Sequence, residues 1–301
     1  MKTNFKIITL FTIALLNASC AFNKNFLSPI KFKSDLQKFV VNKSTTDPLT
    51  ITYSGKNHQP TFLDKNNKPV ALDYQMESIM FKASAGYLLN GWMMKANGNA
   101  PKATLIHFHG NGSNLLYQMK FVLPLLKKGY QVFIFDYSGF GFSEGKATRN
   151  QLLIDGEDAI NYVKTRNDIA NIPLFIHGMS YGGNLAICVG AKMQDKVDGI
   201  ITEGAFSSHK DLATNGNRKK FMTRLFVKEM YASENYVTQI KKPLLIIHSQ
   251  DDKVIPFINA ERIFANATAP KKEFLKINGK HLQASASDLD KLDVSIMNLL
   301  K

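Results

Sequence analysis

The chain has few cysteines and a deficit of acidic residues. Its 301 residues include two cysteines, Cys20 and Cys188, and 24 acidic side chains against 38 lysines and arginines, for a formal net charge of +14. Two cysteines exclude a disulfide framework. Stability must therefore come from a hydrophobic core, which a chain of this length with 45% hydrophobic residues can build.

The excess of positive charge does not indicate a nucleic-acid-binding protein. The basic clusters are short, as in Arg218-Lys219-Lys220 and Lys241-Lys242, and no cluster alternates with aromatic residues in a recognised nucleic-acid module. We interpret the charge as a solvated basic surface and predict no nucleic-acid partner. Contact with anionic lipid head groups is compatible with the same charge.

The first twenty residues have the pattern of a secretory signal peptide. Lys2 and Lys6 precede an apolar run from Ile7 to Leu16, and small residues follow before Cys20. The run is too short to span a bilayer comfortably, and no later run reaches the length required. We therefore predict an exported protein with a signal peptide at 1–20.

The residues that end at Cys20 indicate how the exported protein is attached to a membrane. Ala18-Ser19-Cys20 resembles the end of a bacterial lipobox, although Asn17 stands where that pattern prefers the leucine found at Leu16. This resemblance implies lipidation of Cys20 and anchoring in the cell envelope, with plain secretion as the alternative. Residues 21–72 show no sustained period and are interpreted as a tether and N-terminal extension.

From residue 73 onward, the pattern predicts one α/β domain. A hairpin across Ala85-Gly86 opens it, and short apolar runs then alternate with helical stretches, as in a mainly parallel sheet covered by helices on both faces. The predicted strands after the hairpin are 104–108, 130–135, 173–176, 199–202, 243–247 and 274–277. The predicted helices are 115–127, 149–165, 184–193 and 258–265. Residues 206–240 interrupt this alternation and are assigned as a short helical lid.

Gly178-Met179-Ser180-Tyr181-Gly182 stands between a predicted strand and a predicted helix. A serine between glycines at such a turn can adopt strained backbone angles and project its Oγ outward. The helix that follows favours negative charge at its first turn. The pattern predicts Ser180 as a nucleophile, whereas the alternative is a glycine-rich turn.

A serine nucleophile requires a base and a carboxylate that orients the base. Asp252 follows one predicted strand and His281 follows the last, so both lie at the carboxyl edge of the sheet where open α/β sheets bind ligands. Asp251 competes with Asp252, and sequence spacing alone does not decide between them. His107, His177 and His248 lie in or beside buried strands and are interpreted as structural.

The oxyanion of an acyl-transfer reaction requires backbone N–H donors. His109-Gly110-Asn111-Gly112 follows a predicted strand, and the Asn111 amide is the first candidate from this loop. The Tyr181 amide, next after the nucleophile, is the second.

Taken in order, these motifs resemble an α/β-hydrolase-fold serine hydrolase of the branch that groups serine-aminopeptidase-like and monoacylglycerol-lipase-like proteins. The resemblance extends from about residue 75 to the C-terminus and includes the stretch from Asp136 to Gly145. It also favours Asp252 as the orienting carboxylate, because the spacing in Asp252-Lys253-Val254-Ile255-Pro256 matches the family pattern. Ser138 departs from the family, which often has arginine there, and Lys280 stands where glycine is common.

The resemblance implies hydrolysis of a carboxylic ester, with an acyl or lipid-like substrate, through an acyl-enzyme. It implies no cofactor and no metal. The apolar residues of the lid favour an acyl chain. A serine peptidase or another acyl transferase is the alternative, and a non-catalytic envelope-binding protein is a further one. A catalytic thiol at Cys188 is disfavoured, because nothing near it in the sequence is arranged to ionise it.

Overall fold

A computed structural model describes residues 26–32, 39–41, 49–98 and 100–301. The predicted signal peptide, including Cys20, lies outside these residues. Across the described part of the chain, no helix combines the length and hydrophobicity needed to cross a membrane.

The described chain forms two β-sheets. The smaller sheet is antiparallel and consists of β1 (Phe39–Val41), β2 (Leu49–Ser54) and β3 (Gln59–Leu63). The larger consists of β4 (Tyr74–Lys82), β5 (Leu88–Ala96), β6 (Thr104–Phe108), β7 (Gln131–Phe135), β8 (Leu174–Met179), β9 (Gly199–Glu203), β10 (Leu244–Ser249) and β11 (Lys272–Ile277).

The larger sheet has the order β11-β10-β9-β8-β6-β7-β5-β4. The six strands from β6 to β11 pair in parallel, and β4 and β5 form the antiparallel hairpin at one edge. Because the six strands are parallel, their carboxyl ends share one edge, and the loops after β6, β8, β10 and β11 meet there. The predicted fold class is confirmed.

Helices cover both faces of this sheet. The longer ones are α1 (Leu115–Lys127), α2 (Arg149–Lys164), α3 (Tyr181–Lys192), α7 (Ile258–Asn266) and α9 (Leu289–Leu300). The shorter ones are α4 (His209–Ala213), α5 (Phe221–Phe226), α6 (Ser233–Tyr236) and α8 (Ala284–Ser287). Neighbouring side chains of one strand enter opposite cores, since Leu105 packs on one face and Ile106 on the other.

The N-terminal extension is more ordered than the sequence suggested. In β2 and β3 the side chains of Ile51 and Phe62 are buried in the same core as Trp92 of the large sheet. Alternation over five or six residues is too brief to separate from a polar tether by pattern alone. The interpretation as a tether therefore does not hold for residues 49–63.

Candidate active site

Ser180 occupies the turn between β8 and α3. Its backbone has φ 56° and ψ −119°, a region that non-glycine residues rarely adopt. A Cβ added at Gly178 would lie 2.2 Å from the Gly182 carbonyl oxygen, and one at Gly182 would lie 2.0 Å from the Phe108 carbonyl oxygen. Both glycines are required because strand and helix backbones approach this closely.

The structure brings the three predicted catalytic side chains into one chain of contacts. Ser180 Oγ lies 3.0 Å from His281 Nε2, and His281 Nδ1 lies 2.5 Å from Asp252 Oδ2. Ser180 follows β8, Asp252 follows β10 and His281 follows β11. The contact arises because these strands run parallel and end at one edge of the sheet.

Asp252 is held in place by its own loop. Its Oδ1 accepts the N–H groups of Val254 at 2.8 Å and Ile255 at 2.9 Å. Burial alone would raise the pKa of Asp252, but the His281 contact and these two amides outweigh it, so the pKa is lowered and the carboxylate form is favoured. Asp251 instead accepts the Gly279 N–H at 3.2 Å, and so supports the loop that carries His281.

The two amides predicted to bind an oxyanion flank the serine. A Cβ added at Gly110 would lie 3.2 Å from Ser180 Cβ, so the loop after β6 packs directly against Ser180. Among the described residues, neither the Asn111 nor the Tyr181 backbone N–H has a hydrogen-bond acceptor. Both are therefore available to an incoming oxygen.

The side chain of Tyr181 connects the turn at Ser180 to residues of the predicted lid. Its hydroxyl lies 3.0 Å from His209 Nε2 and 3.0 Å from the Tyr231 hydroxyl. His209 Nδ1 in turn lies 2.8 Å from Glu229 Oε1. Lid residues thus fix the residue that follows Ser180.

Arginines of the predicted lid meet at one buried carboxylate. Asp211 is surrounded by guanidinium groups, with ion pairs of 3.0 Å to Arg218, 2.5 Å to Arg224 and 3.0 Å to Arg262. Burial raises its pKa, but the arginines and the Ser207 hydroxyl outweigh that effect and lower it to about 2. Arg218 and Arg224 are therefore held against Asp211 and do not extend from the surface as isolated cations.

Replacing Asp211 by alanine is expected to lower the free energy of unfolding by about 3 kcal/mol, because it leaves three arginines without their buried partner. Asp290→Ala is the matched control, since that carboxyl is 91% exposed in its pair with Lys128 and should change stability by less than about 1 kcal/mol. Chemical denaturation measures both. Equal effects would show that the Asp211 cluster does not hold the lid.

Glu203 is a residue of the site that the sequence analysis did not single out. Its carbonyl oxygen accepts the Ser180 N–H at 2.8 Å, and its side-chain Oε1 accepts the Ala284 N–H at 2.9 Å. Next to it, Gly204 has φ +63°, and a Cβ there would lie 2.9 Å from His281 Cε1. Glu203 therefore supports the turn at Ser180 and the loop of His281 together. An acidic residue followed by glycine at the end of an apolar strand is the signal that could have identified it.

The ionisation of Glu203 should make the free energy of unfolding depend on pH. Burial raises its pKa from 4.5 to about 7, so the folded state binds this proton more tightly than the unfolded chain. Its stabilising contribution is complete below the unfolded pKa and is lost as pH rises through about 7. Relative to Glu203→Gln, the wild type should lose about 3 kcal/mol of unfolding free energy over that interval. Parallel stability profiles of the two proteins would contradict this assignment.

Ser180 and His281 open into a cavity of about 630 Å³. The side chains that line it are mainly apolar or aromatic, and Lys120 is their one ammonium group. The lining residues are Phe26, Gly110, Asn111, Gly112, Ser113, Tyr117, Gln118, Lys120, Phe121, Ser180, Tyr181, Phe206, Leu212, Val254, Ile255, His281 and Leu282. In the described ranges, no group of three or more histidine, cysteine or acidic side chains is arranged to hold a metal ion.

The histidines interpreted as structural and Cys188 do not line the cavity. His107 and His177 are buried in adjacent strands with their Nδ1 atoms 3.0 Å apart, and burial lowers the pKa of His107 to about 4. Cys188 is buried in α3, where burial raises the pKa of its thiol. Neither environment favours an ionised catalytic group.

Residues 99–233 match the family described as serine aminopeptidase, S33. The chain is also 34% identical over 216 residues to the protein YfhR of Escherichia coli strain K12, an alignment that covers 70% of this chain and 75% of YfhR.

Solved structures share the fold. Esterase Pf2001 of Pyrococcus furiosus superposes with a TM-score of 0.64 at 20% identity, over 75% of this chain and 90% of the esterase. The acylaminoacyl peptidase of Pyrococcus horikoshii superposes with a TM-score of 0.61 at 14% identity, over 89% of this chain and 49% of the peptidase. At these identities the likeness concerns the fold and leaves the substrate open.

Proposed function

Because this chain belongs to the α/β-hydrolase family of serine hydrolases, we propose that it cleaves carboxylic esters by acyl transfer from Ser180 to water. The observation that carries the proposal is the continuous contact from Ser180 Oγ through His281 to the Asp252 carboxylate. That arrangement supplies a nucleophile, its base and the group that orients the base.

In the first step, His281 Nε2 takes the hydroxyl proton of Ser180 as Oγ attacks the ester carbonyl. Asp252 keeps Nδ1 protonated and stabilises the imidazolium that forms. The amides of Asn111 and Tyr181 donate to the oxyanion. His281 then returns the proton to the departing alcohol, and water repeats the attack on the acyl-enzyme with the same base.

The lining of the cavity favours an ester with an acyl chain over a peptide. A peptidase that removes N-terminal residues requires acidic groups to hold the substrate ammonium, and none of the residues that line this cavity is acidic. Phe121, Phe206 and Leu212 instead offer apolar contacts to a hydrocarbon chain. Lys120 gives the cavity a cation that suits an anionic or polar head group.

Labelling with a fluorophosphonate, together with a substrate panel, tests this function. We expect the wild-type protein to be labelled and to hydrolyse p-nitrophenyl acyl esters faster than aminoacyl p-nitroanilides. Faster hydrolysis of the anilides would indicate that the protein is a peptidase and not an esterase. Absence of both labelling and turnover would favour a binding protein that has kept the fold.

We also propose that the mature protein is anchored in the bacterial cell envelope through a lipid on Cys20, so that its substrate is a lipid or small-molecule ester available there. The support is the lipobox-like Ala18-Ser19-Cys20. Mass spectrometry of the mature N-terminus tests it. An unmodified terminus that lacks Cys20 would indicate secretion without an anchor.

A further inference from the structure

We propose that the N-terminal strap, defined as residues 26–32, is a wall of the substrate cavity and that Phe26 limits the size of the acyl group. The strap lies outside residues 99–233, which carry the family match. The proposal rests on the proposed function, because it concerns the ester that the same cavity would accept.

The strap is clamped to the oxyanion loop by one side chain. Asn111 Nδ2 donates to the Phe26 carbonyl oxygen at 3.1 Å, and Asn111 Oδ1 accepts the Ser28 N–H at 2.7 Å. Asn111 thus binds two backbone groups of the strap with its side chain, while its own amide is left for the oxyanion. This connection ties the position of the strap to the geometry of the loop.

A second attachment fixes the other end of the strap. The Phe32 N–H donates to the Gly141 carbonyl at 3.0 Å, and the Gly141 N–H donates to the Ile30 carbonyl at 2.8 Å. The Phe32 side chain is buried in the core that includes Trp92. The strap is therefore held at both ends by hydrogen bonds and at one end by apolar burial.

Between these attachments and the lid, the ring of Phe26 closes one side of the cavity. It is 9% exposed and meets the His209 ring edge-on, with centroids 5.3 Å apart. The Arg149 guanidinium lies 5.0 Å from the centre of the Phe26 ring. The ring is packed between the catalytic cavity and the base of the lid, so truncating it enlarges the cavity at that point.

The test compares acyl-chain selectivity in the full-length protein. The ratio of kcat/KM for p-nitrophenyl laurate to that for p-nitrophenyl butyrate should rise about tenfold in Phe26→Ala, because space for methylene groups is gained. Asn111→Ala, which keeps the backbone amide but removes the clamp, should raise the ratio in the same direction and also lower kcat. Val294→Ala, which truncates an exposed side chain on α9, should leave the ratio unchanged.

Hydrogen exchange gives a readout that does not require turnover. The Ser28 amide, whose acceptor is Asn111 Oδ1, should be protected in the wild type and should exchange faster in Asn111→Ala, whereas the amides of Phe32 and Gly141 at the second attachment should change less. Ester hydrolysis with an unchanged selectivity ratio in Phe26→Ala, or a ratio that falls, overturns the role of Phe26 and leaves the proposed function standing. A wild type that hydrolyses no ester and takes no label overturns both.

Discussion

Ser180→Ala is expected to lower kcat for ester hydrolysis by between about 10⁴ and 10⁶ and to abolish fluorophosphonate labelling. The loss is large because no other hydroxyl contacts His281 Nε2 among the described residues. Water attacking directly in the remaining cavity would have to replace an oriented nucleophile. Rates from the ester assay and gel fluorescence of the labelled protein measure the two effects.

Ser287→Ala is the control for this substitution, since Ser287 is exposed and its hydroxyl donates only to nearby groups of its own turn. It should retain full activity and full labelling. Thermal unfolding of the Ser180 variant should be close to that of the wild type, which separates chemistry from folding. Retention of more than about a hundredth of the activity by Ser180→Ala would exclude Ser180 as the nucleophile.

Asp252→Asn should produce the second large effect, a decrease of about 10⁴-fold in kcat. The amide side chain is nearly the same size, so the turn is preserved. Its NH₂ group, however, no longer favours a proton on His281 Nδ1, and it no longer stabilises an imidazolium. The KM of the ester should change far less than kcat, because Asp252 does not line the cavity.

The neighbouring carboxylate provides the matched variant. Asp251→Asn retains an oxygen for the Gly279 N–H and leaves the contact between Asp252 and His281 in place. We expect a decrease in kcat of less than about tenfold. If the two asparagine variants lost activity equally, the assignment of the orienting role to Asp252 over Asp251 would fail.

The sequence was most informative where one local pattern determines local structure. Thr104–Phe108 and Leu115–Lys127 have the bounds that the hydrophobic pattern predicts, and in the structure the Asn114 side chain caps the helix by accepting the Tyr117 N–H. Ser180 and Asp252 follow buried apolar strands, and His281 follows β11, the strand at the edge of the parallel sheet. Because parallel strands end at the same edge of the sheet, the proximity of the three side chains could be predicted from the sequence before any distance between them was known.

The sequence was least informative where contacts join distant segments. Glu203 is identified by two hydrogen bonds, one to Ser180 and the other to Ala284, which lies 81 residues along the chain. Asn111 was selected for its amide, yet its side chain binds Phe26, 85 positions away. Neither contact leaves a periodic signal in the sequence.

Helix α9 was also not predicted, although Leu292, Ile296 and Leu299 repeat on its buried face.

The hydrogen bonds between Asn111 and the backbone at Phe26 and Ser28 limit the distance between the cavity and a membrane to which Cys20 would be anchored. Five residues separate Cys20 from Phe26, and the six Cα-to-Cα steps between them span only about 20 Å even when fully extended. A lipid on Cys20 would therefore hold the wall of the cavity within that distance of the bilayer surface. Such an enzyme would act on the esters of its own membrane or on molecules that reach that surface, and it would be excluded from substrates deeper in the surrounding compartment.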